Sequence, residues 1–173
     1  MSLYLRQPEE NDEKLWKYFI KELLKNDGKV LPYALNYGLE KYPDYLIKAK
    51  YYQKGINLPQ GEVPCSVYFL FGSTSGGILG CIAIRHELND ALRFTGGNIG
   101  YSISPSERGK GYGKEILSLG LERCRDLGLK KVLLTCDKDN KGSSGVIRAN
   151  GGVFSEEFID KNGTLRERYR IEL

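Results

Sequence analysis

Three groups of residues in this sequence could do chemistry. Arg108-Gly109-Lys110-Gly111-Tyr112-Gly113-Lys114 sets three glycines at alternate positions among cations, between a strand-like run ending at Pro105 and a helix-like one. Asn140 and Ser143 stand three apart, just ahead of a second helical run. His86, the single histidine, is followed by Glu87. Glycine weakens a helix, so three of them where a helix begins imply a need for bare backbone. A strand entering a helix through such a turn presents N–H groups at the positive end of the helix dipole. That suits phosphate, with Arg108, Lys110 and Lys114 adding charge.

Two known phosphate loops do not fit. A Walker A loop needs glycine five positions before its Gly-Lys pair and Ser or Thr after it, where this chain has Arg108 and Glu115. A Rossmann fingerprint counted from Gly109 needs glycine or alanine at Lys114 and lies near the start of its domain, whereas this loop is past the midpoint.

The elements that must position these groups read as follows. Residues 8–27 form an amphipathic helix, with Leu15, Phe19 and Leu23 on one row and Trp16, Ile20 and Leu24 on the next. Acidic residues fill its first turn. Residues 32–55 read as helices broken at Pro43, holding six of the twelve tyrosines in half-buried positions. From Val63 strands dominate. Residues 65–73 and 76–88 make a hairpin through Ser73 to Gly77, and residues 96–105 make a third strand with Ile99, Tyr101 and Ile103 alternating. A helix over 112–127 turns Leu117, Leu121 and Cys124 inward and stops at Gly128. Residues 130–137 read as a buried strand, and residues 143–150 as a short helix ending at Gly151. A hairpin with an Asn-Gly turn closes the chain, with Leu165, Tyr169, Ile171 and Leu173 on one face and Glu167 breaking it. The order predicts a single α/β domain over residues 1–173 with one mixed, mostly antiparallel sheet. It is not a doubly wound fold.

Composition narrows the functions. The chain has 173 residues, a net charge of +4 and 28% charged residues mixed in sign along its length. That balance suits an anionic ligand without gathering a nucleic-acid stripe. Cys65, Cys81, Cys124 and Cys136 form no CxxC pair, so no metal is expected, and apolar flanks make them reduced core thiols. Nothing near Cys136 marks a lowered pKa, so it is not read as a nucleophile. No apolar run approaches membrane-spanning length and no signal core opens the chain; the expectation is a cytoplasmic protein that does not act on membranes.

The pattern Arg108-x-x-Gly111-x-Gly113 after a strand ending in proline resembles the acetyl-CoA pyrophosphate loop of the GCN5-related N-acetyltransferases. Asn140, Ser143 and Gly151 match the family's spacing after its buried strand, and the resemblance covers about residues 63–173. It is nearest to a bacterial branch of acetyltransferases with the run "RHELN…GGHIGYSVRPSERGKGY". The resemblance implies a central sheet splayed where acetyl-CoA binds, flanked by helices, with residues 1–60 shaping the acceptor side. Acetyl-CoA would be the co-substrate, with pantetheine laid along Ser102-Ile103-Ser104. A backbone N–H at or beside Ile103 would polarise the acetyl carbonyl. Arg108, Gly109, Lys110, Gly111, Tyr112, Gly113 and Lys114 would hold the pyrophosphate, and Asn140 and Ser143 would touch the pantetheine or phosphate arm. Many relatives carry a thiolate-protonating tyrosine seven residues after the asparagine; here that residue is Ile147. Candidates for the base are His86, Glu87, and Ser102 or Ser104 through a water. The implied reaction is acetyl transfer to a primary amine, on a small molecule or a peptide, by direct attack in a ternary complex of a monomer or homodimer. A non-catalytic acetyl-CoA-binding module and a nucleic-acid binder stay open as alternatives at this stage.

Overall fold

Seven strands and five helices make up the fold, in a computed structural model that describes residues 2–37 and 41–173. In chain order they are β1 (Leu3–Arg6), α1 (Glu13–Asp27), α2 (Tyr42–Lys54), β2 (Cys65–Gly72), β3 (Gly80–Arg85), α3 (Asp90–Phe94), β4 (Ile99–Ile103), α4 (Tyr112–Asp126), β5 (Lys131–Asp137), α5 (Lys141–Ala149), β6 (Val153–Ile159) and β7 (Leu165–Glu172). Residues 38–40 of the tyrosine-rich segment lie outside the described residues.

The strands form two antiparallel sheets, β1-β2-β3-β4 and β5-β7-β6, where the sequence suggested one. Alternation along β2 and β3 sends Cys65, Val67, Phe69, Phe71, Cys81 and Ala83 to one face, against Trp16, Phe19 and Leu23 of α1 and Tyr42 and Tyr45 of α2. The other face, with Leu70, Ile82 and Ile84, meets Ile116, Leu117 and Cys124 of α4, a core that continues into the second sheet through Leu134, Tyr169 and Ile171.

Several expectations change in detail. Pro43 starts α2 rather than breaking it, because it stands in the first turn, where a missing N–H costs nothing. Tyr42 and Tyr45 are fully buried beside Trp16, with ring centroids 5.2 and 5.3 Å away, rather than half-buried. Leu24 stands exposed, outside the buried face of α1. Glu167 is buried on the apolar face of β7, where it accepts a 2.5 Å hydrogen bond from the Tyr169 hydroxyl. Two elements carried too little pattern to be read: β1, only four residues long, and α3, whose N-cap Asn89 accepts from Leu92 N–H at 2.9 Å.

Among the described residues, hydrogen bonds join the two sheets at one place. Gly97 bridges to Leu134, and Asn98 N–H donates to the Leu133 carbonyl at 2.7 Å. The Asn98 side chain completes the contact: its Oδ1 accepts from Leu133 N–H at 2.9 Å, and its amide donates to the Arg85 carbonyl at 3.3 Å. Gly97 has φ +67, and a Cβ there would fall on the Leu133 carbonyl oxygen, so only glycine permits this approach. Asn98 is 5% exposed, so its loss strands a buried donor. Asn98→Ala is expected to lower unfolding free energy by about 1–3 kcal/mol, the usual cost of such a group. Urea denaturation monitored by circular dichroism checks this.

Candidate active site

Past that junction the sheets part, and hydrogen-bond bookkeeping shows what faces the opening. Ser104 N–H donates to Leu79 O at 2.9 Å and Arg85 N–H to Asn98 O at 2.8 Å, so alternate residues 98, 100, 102 and 104 bond to β3. The N–H and C=O groups of Ile99, Tyr101 and Ile103 therefore point away from β3, toward β5. On β5, Leu173 N–H donates to Lys130 O at 2.8 Å and Lys138 N–H to Leu165 O at 3.0 Å. The same alternation leaves Leu133, Thr135 and Asp137 facing β4. Leu133 is engaged by Asn98; further along, β4 and β5 belong to separate sheets and do not pair. Tyr101 and Ile103 thus look across a gap at Thr135 and Asp137, edge to edge. An extended, amide-bearing chain would fit there as an added strand.

The gap leads to the start of α4. Gly109 and Gly111 take φ +78 and +89, and among the described residues no side chain caps the helix, so its first N–H groups stay open. Gly113 answers to packing instead: a Cβ there would lie 2.9 Å from Val146 Cγ2 of α5. Of the nearby cations, Lys110 pairs with Glu107 at 2.9 Å. Arg108 makes a two-pronged pair with Asp27 at the end of α1, at 2.8 and 2.5 Å, and its Nε donates to the Ile103 carbonyl at 3.2 Å. The hydrogen bonds hold the Asp27 carboxyl below its usual range and raise the Arg108 guanidinium. Arg108 therefore braces the loop against α1.

Asn140 and Ser143 come together at the start of α5. Asn140 Oδ1 caps the helix by accepting from Ser143 N–H at 2.9 Å. Ser143 Oγ lies 3.0 Å from the Tyr101 hydroxyl, which reaches across from β4. Ile147, one turn further, is 1% exposed and sits in the core. Burial pushes the Cys136 thiol up to about 11, so it carries no thiolate near neutral pH, as the sequence suggested.

The candidate bases are not gathered at the gap. His86 follows β3 at the end opposite Ile99, at least four strand residues, about 14 Å, from Ile103. Its Nε2 is 2.8 Å from Ser66 Oγ, and burial lowers its pKa. Glu87 is exposed beside it. Ser102 and Ser104 do lie on β4 or its end, on the α1 side. Buried Ser104 donates to Glu22 of α1, and Ser106 Oγ donates to the same carboxylate oxygen at 3.2 Å. Sequence reasoning passed over Glu22, which stands among charged residues in an ordinary amphipathic helix. Among the described residues no cluster of His, Cys, Asp and Glu could hold a metal ion, and no helix is long and apolar enough to cross a membrane.

Known structures share this architecture. RimL, a ribosomal L7/L12 alpha-N-protein acetyltransferase in complex with coenzyme A, superposes with a TM-score of 0.72 at 16% identity, over 100% of this chain and 95% of that one. The microcin C7 self-immunity acetyltransferase MccE, in complex with acetyl-CoA and AMP, gives 0.70 at 16% identity over 99% and 92%. YncA from Salmonella typhimurium, with its cofactor acetyl-CoA, gives 0.66 at 14% identity over 100% and 95%. No curated protein sequence matches the chain. At these identities the superpositions speak for the fold, and the sequence itself supplies the rest. The family model of the acetyltransferase (GNAT) domain matches residues 2–153, from β1 through the glycine loop to the start of β6, and the chain belongs to that family of acetyltransferases.

Proposed function

We propose that this protein transfers the acetyl group of acetyl-CoA to a primary amine, on a small molecule or a peptide, by direct attack in a ternary complex. The observation that carries this is the gap: β4 and β5 are pinned at Asn98, part beyond it with backbone groups facing inward, and lead to an uncapped helix start. Pantetheine contributes two amides to such a gap, and the pyrophosphate reaches the N–H groups of Gly111, Tyr112 and Gly113. RimL, MccE and YncA, solved with CoA or acetyl-CoA, support the choice of ligand.

The chemistry follows from placement. A backbone N–H from Ile103 facing the gap polarises the acetyl carbonyl and stabilises the oxyanion as nitrogen attacks. The attacking amine must first lose a proton. Glu22 is the carboxylate that the fold fixes at this end of β4, and Ser104 and Ser106 hold it on the acceptor side. It attracts the acceptor ammonium and takes its proton. His86 and Glu87, at the closed end, serve the scaffold.

Calorimetry is expected to show CoA and acetyl-CoA binding, and absence of binding to the folded protein at millimolar CoA overturns the assignment. Gly111→Val forces a β-branched residue to φ +89 and blocks the approach to the loop. At about 1–3 kcal/mol of strain, CoA affinity is expected to fall about tenfold or more. Glu22→Gln is expected to leave CoA affinity unchanged and lower turnover by about 10²–10⁴-fold. An assay of thiol release over a panel of amines reads both, and unaltered turnover in Glu22→Gln removes the base.

A further inference from the structure

Acetyl transfer leaves a thiolate, and a thiolate departs more readily toward a hydrogen-bond donor fixed in advance. Ile147, on α5 seven residues after Asn140, is closed in the core and carries no hydroxyl. The structure offers a different phenol. Tyr101 lies on β4, two residues before Ile103, with its backbone facing the gap. Its ring leaves β4 on the face covered by α4 and α5 and ends against the first turn of α5. There the hydroxyl lies 3.0 Å from Ser143 Oγ and 3.4 Å from the Ser143 carbonyl oxygen. Because α5 follows β5, this hydroxyl spans from one edge of the gap to the element that continues the other.

The geometry points to Tyr101 as the hydrogen-bond donor to the CoA sulfur, with Ser143 as the residue that orients it. This role rests on the acetyltransferase reading above. As the nitrogen–carbon bond forms, the nitrogen sheds its excess proton to solvent water; as the carbon–sulfur bond breaks, its electron pair settles on sulfur while the Tyr101 hydroxyl turns its hydrogen from Ser143 toward it. Among the described residues, the groups that bear on the phenol are Ser143 of α5 and Cys136 of β5, neither a carboxylate nor a cation. Burial pushes the phenol up to about 12, so it keeps its proton and stabilises the thiolate by donation, and the released CoA thiolate is protonated by water.

The test needs no acceptor. CoA bound to the protein is titrated through the ultraviolet absorbance of its thiolate, against the complex with desulfo-CoA, so that the protein's own tyrosines and cysteines cancel. A hydrogen bond to a charged acceptor is expected to hold the thiol pKa of bound CoA about one to two units lower in the wild type than in Tyr101→Phe. Both proteins are expected to bind CoA at neutral pH, where the thiol is protonated. Ser143→Ala, which keeps the phenol but frees it, is expected to fall between them and serves on its own should Tyr101→Phe fail to fold. An equal thiol pKa in the wild type and the variants overturns the role of Tyr101 and leaves CoA binding standing. No CoA binding by the wild type overturns the reading beneath it and the role together.

Discussion

Asn98 holds together two sheets that separate one residue later, and the geometry of the site depends on that contact. Its side-chain oxygen and its backbone N–H both meet Leu133, while its amide and carbonyl tie back to Arg85 of β3. A side chain thus takes the place of the next rung of a strand ladder. With the rung made this way, β4 need not follow β5. The two edges diverge with their inward N–H and C=O groups still aimed at each other. A pair of half-buried edges without hydrogen-bond partners is open to anything that can pair with them. A ligand with amides can supply those partners without disturbing the fold.

The acceptor-side helix is fastened to the same strand at its open end. Asp27 and Glu22, five residues apart on α1, reach Arg108 and the Ser104–Ser106 turn. Each contact is partly exposed and contributes little to stability on its own. Together they fix where α1 lies relative to β4, while the aromatic cluster of Trp16, Tyr42 and Tyr45 supplies the burial. The loop that would hold CoA phosphates and the helix that bounds the acceptor side are therefore mechanically joined through Arg108.

What the sequence disclosed and what it withheld divide along a physical line. The glycine loop was legible because backbone conformation and helix-start electrostatics are local: positive φ at Gly109 and Gly111 needs glycine whatever surrounds it. Apart from β1 and α3, the order of strands and helices was legible from alternation and helical rows, as in α4, where Leu117, Leu121 and Cys124 turn inward. The division into two sheets was implied as a splay by the family resemblance alone; the residues by themselves did not show it, because it hangs on one asparagine whose partners are 13 and 35 residues away. Glu22 and Tyr101 escaped for the same reason: their partners, Ser104 and Ser143, are brought to them only by the fold. His86 attracted notice by its chemistry, and its register opposite the closed end of β4 sets it apart from the gap.

The central claim is that CoA lies as a strand between β4 and β5. Residue-resolved amide hydrogen exchange, compared with and without saturating CoA, tests it most directly. New protection is predicted at the N–H groups of Tyr101, Ile103 and Thr135, which face the gap, and at Gly111, Tyr112 and Gly113 at the start of α4, with Ser102 and Cys136 already protected by their sheets. CoA-dependent protection confined to other surfaces, with these amides exchanging as before, contradicts it.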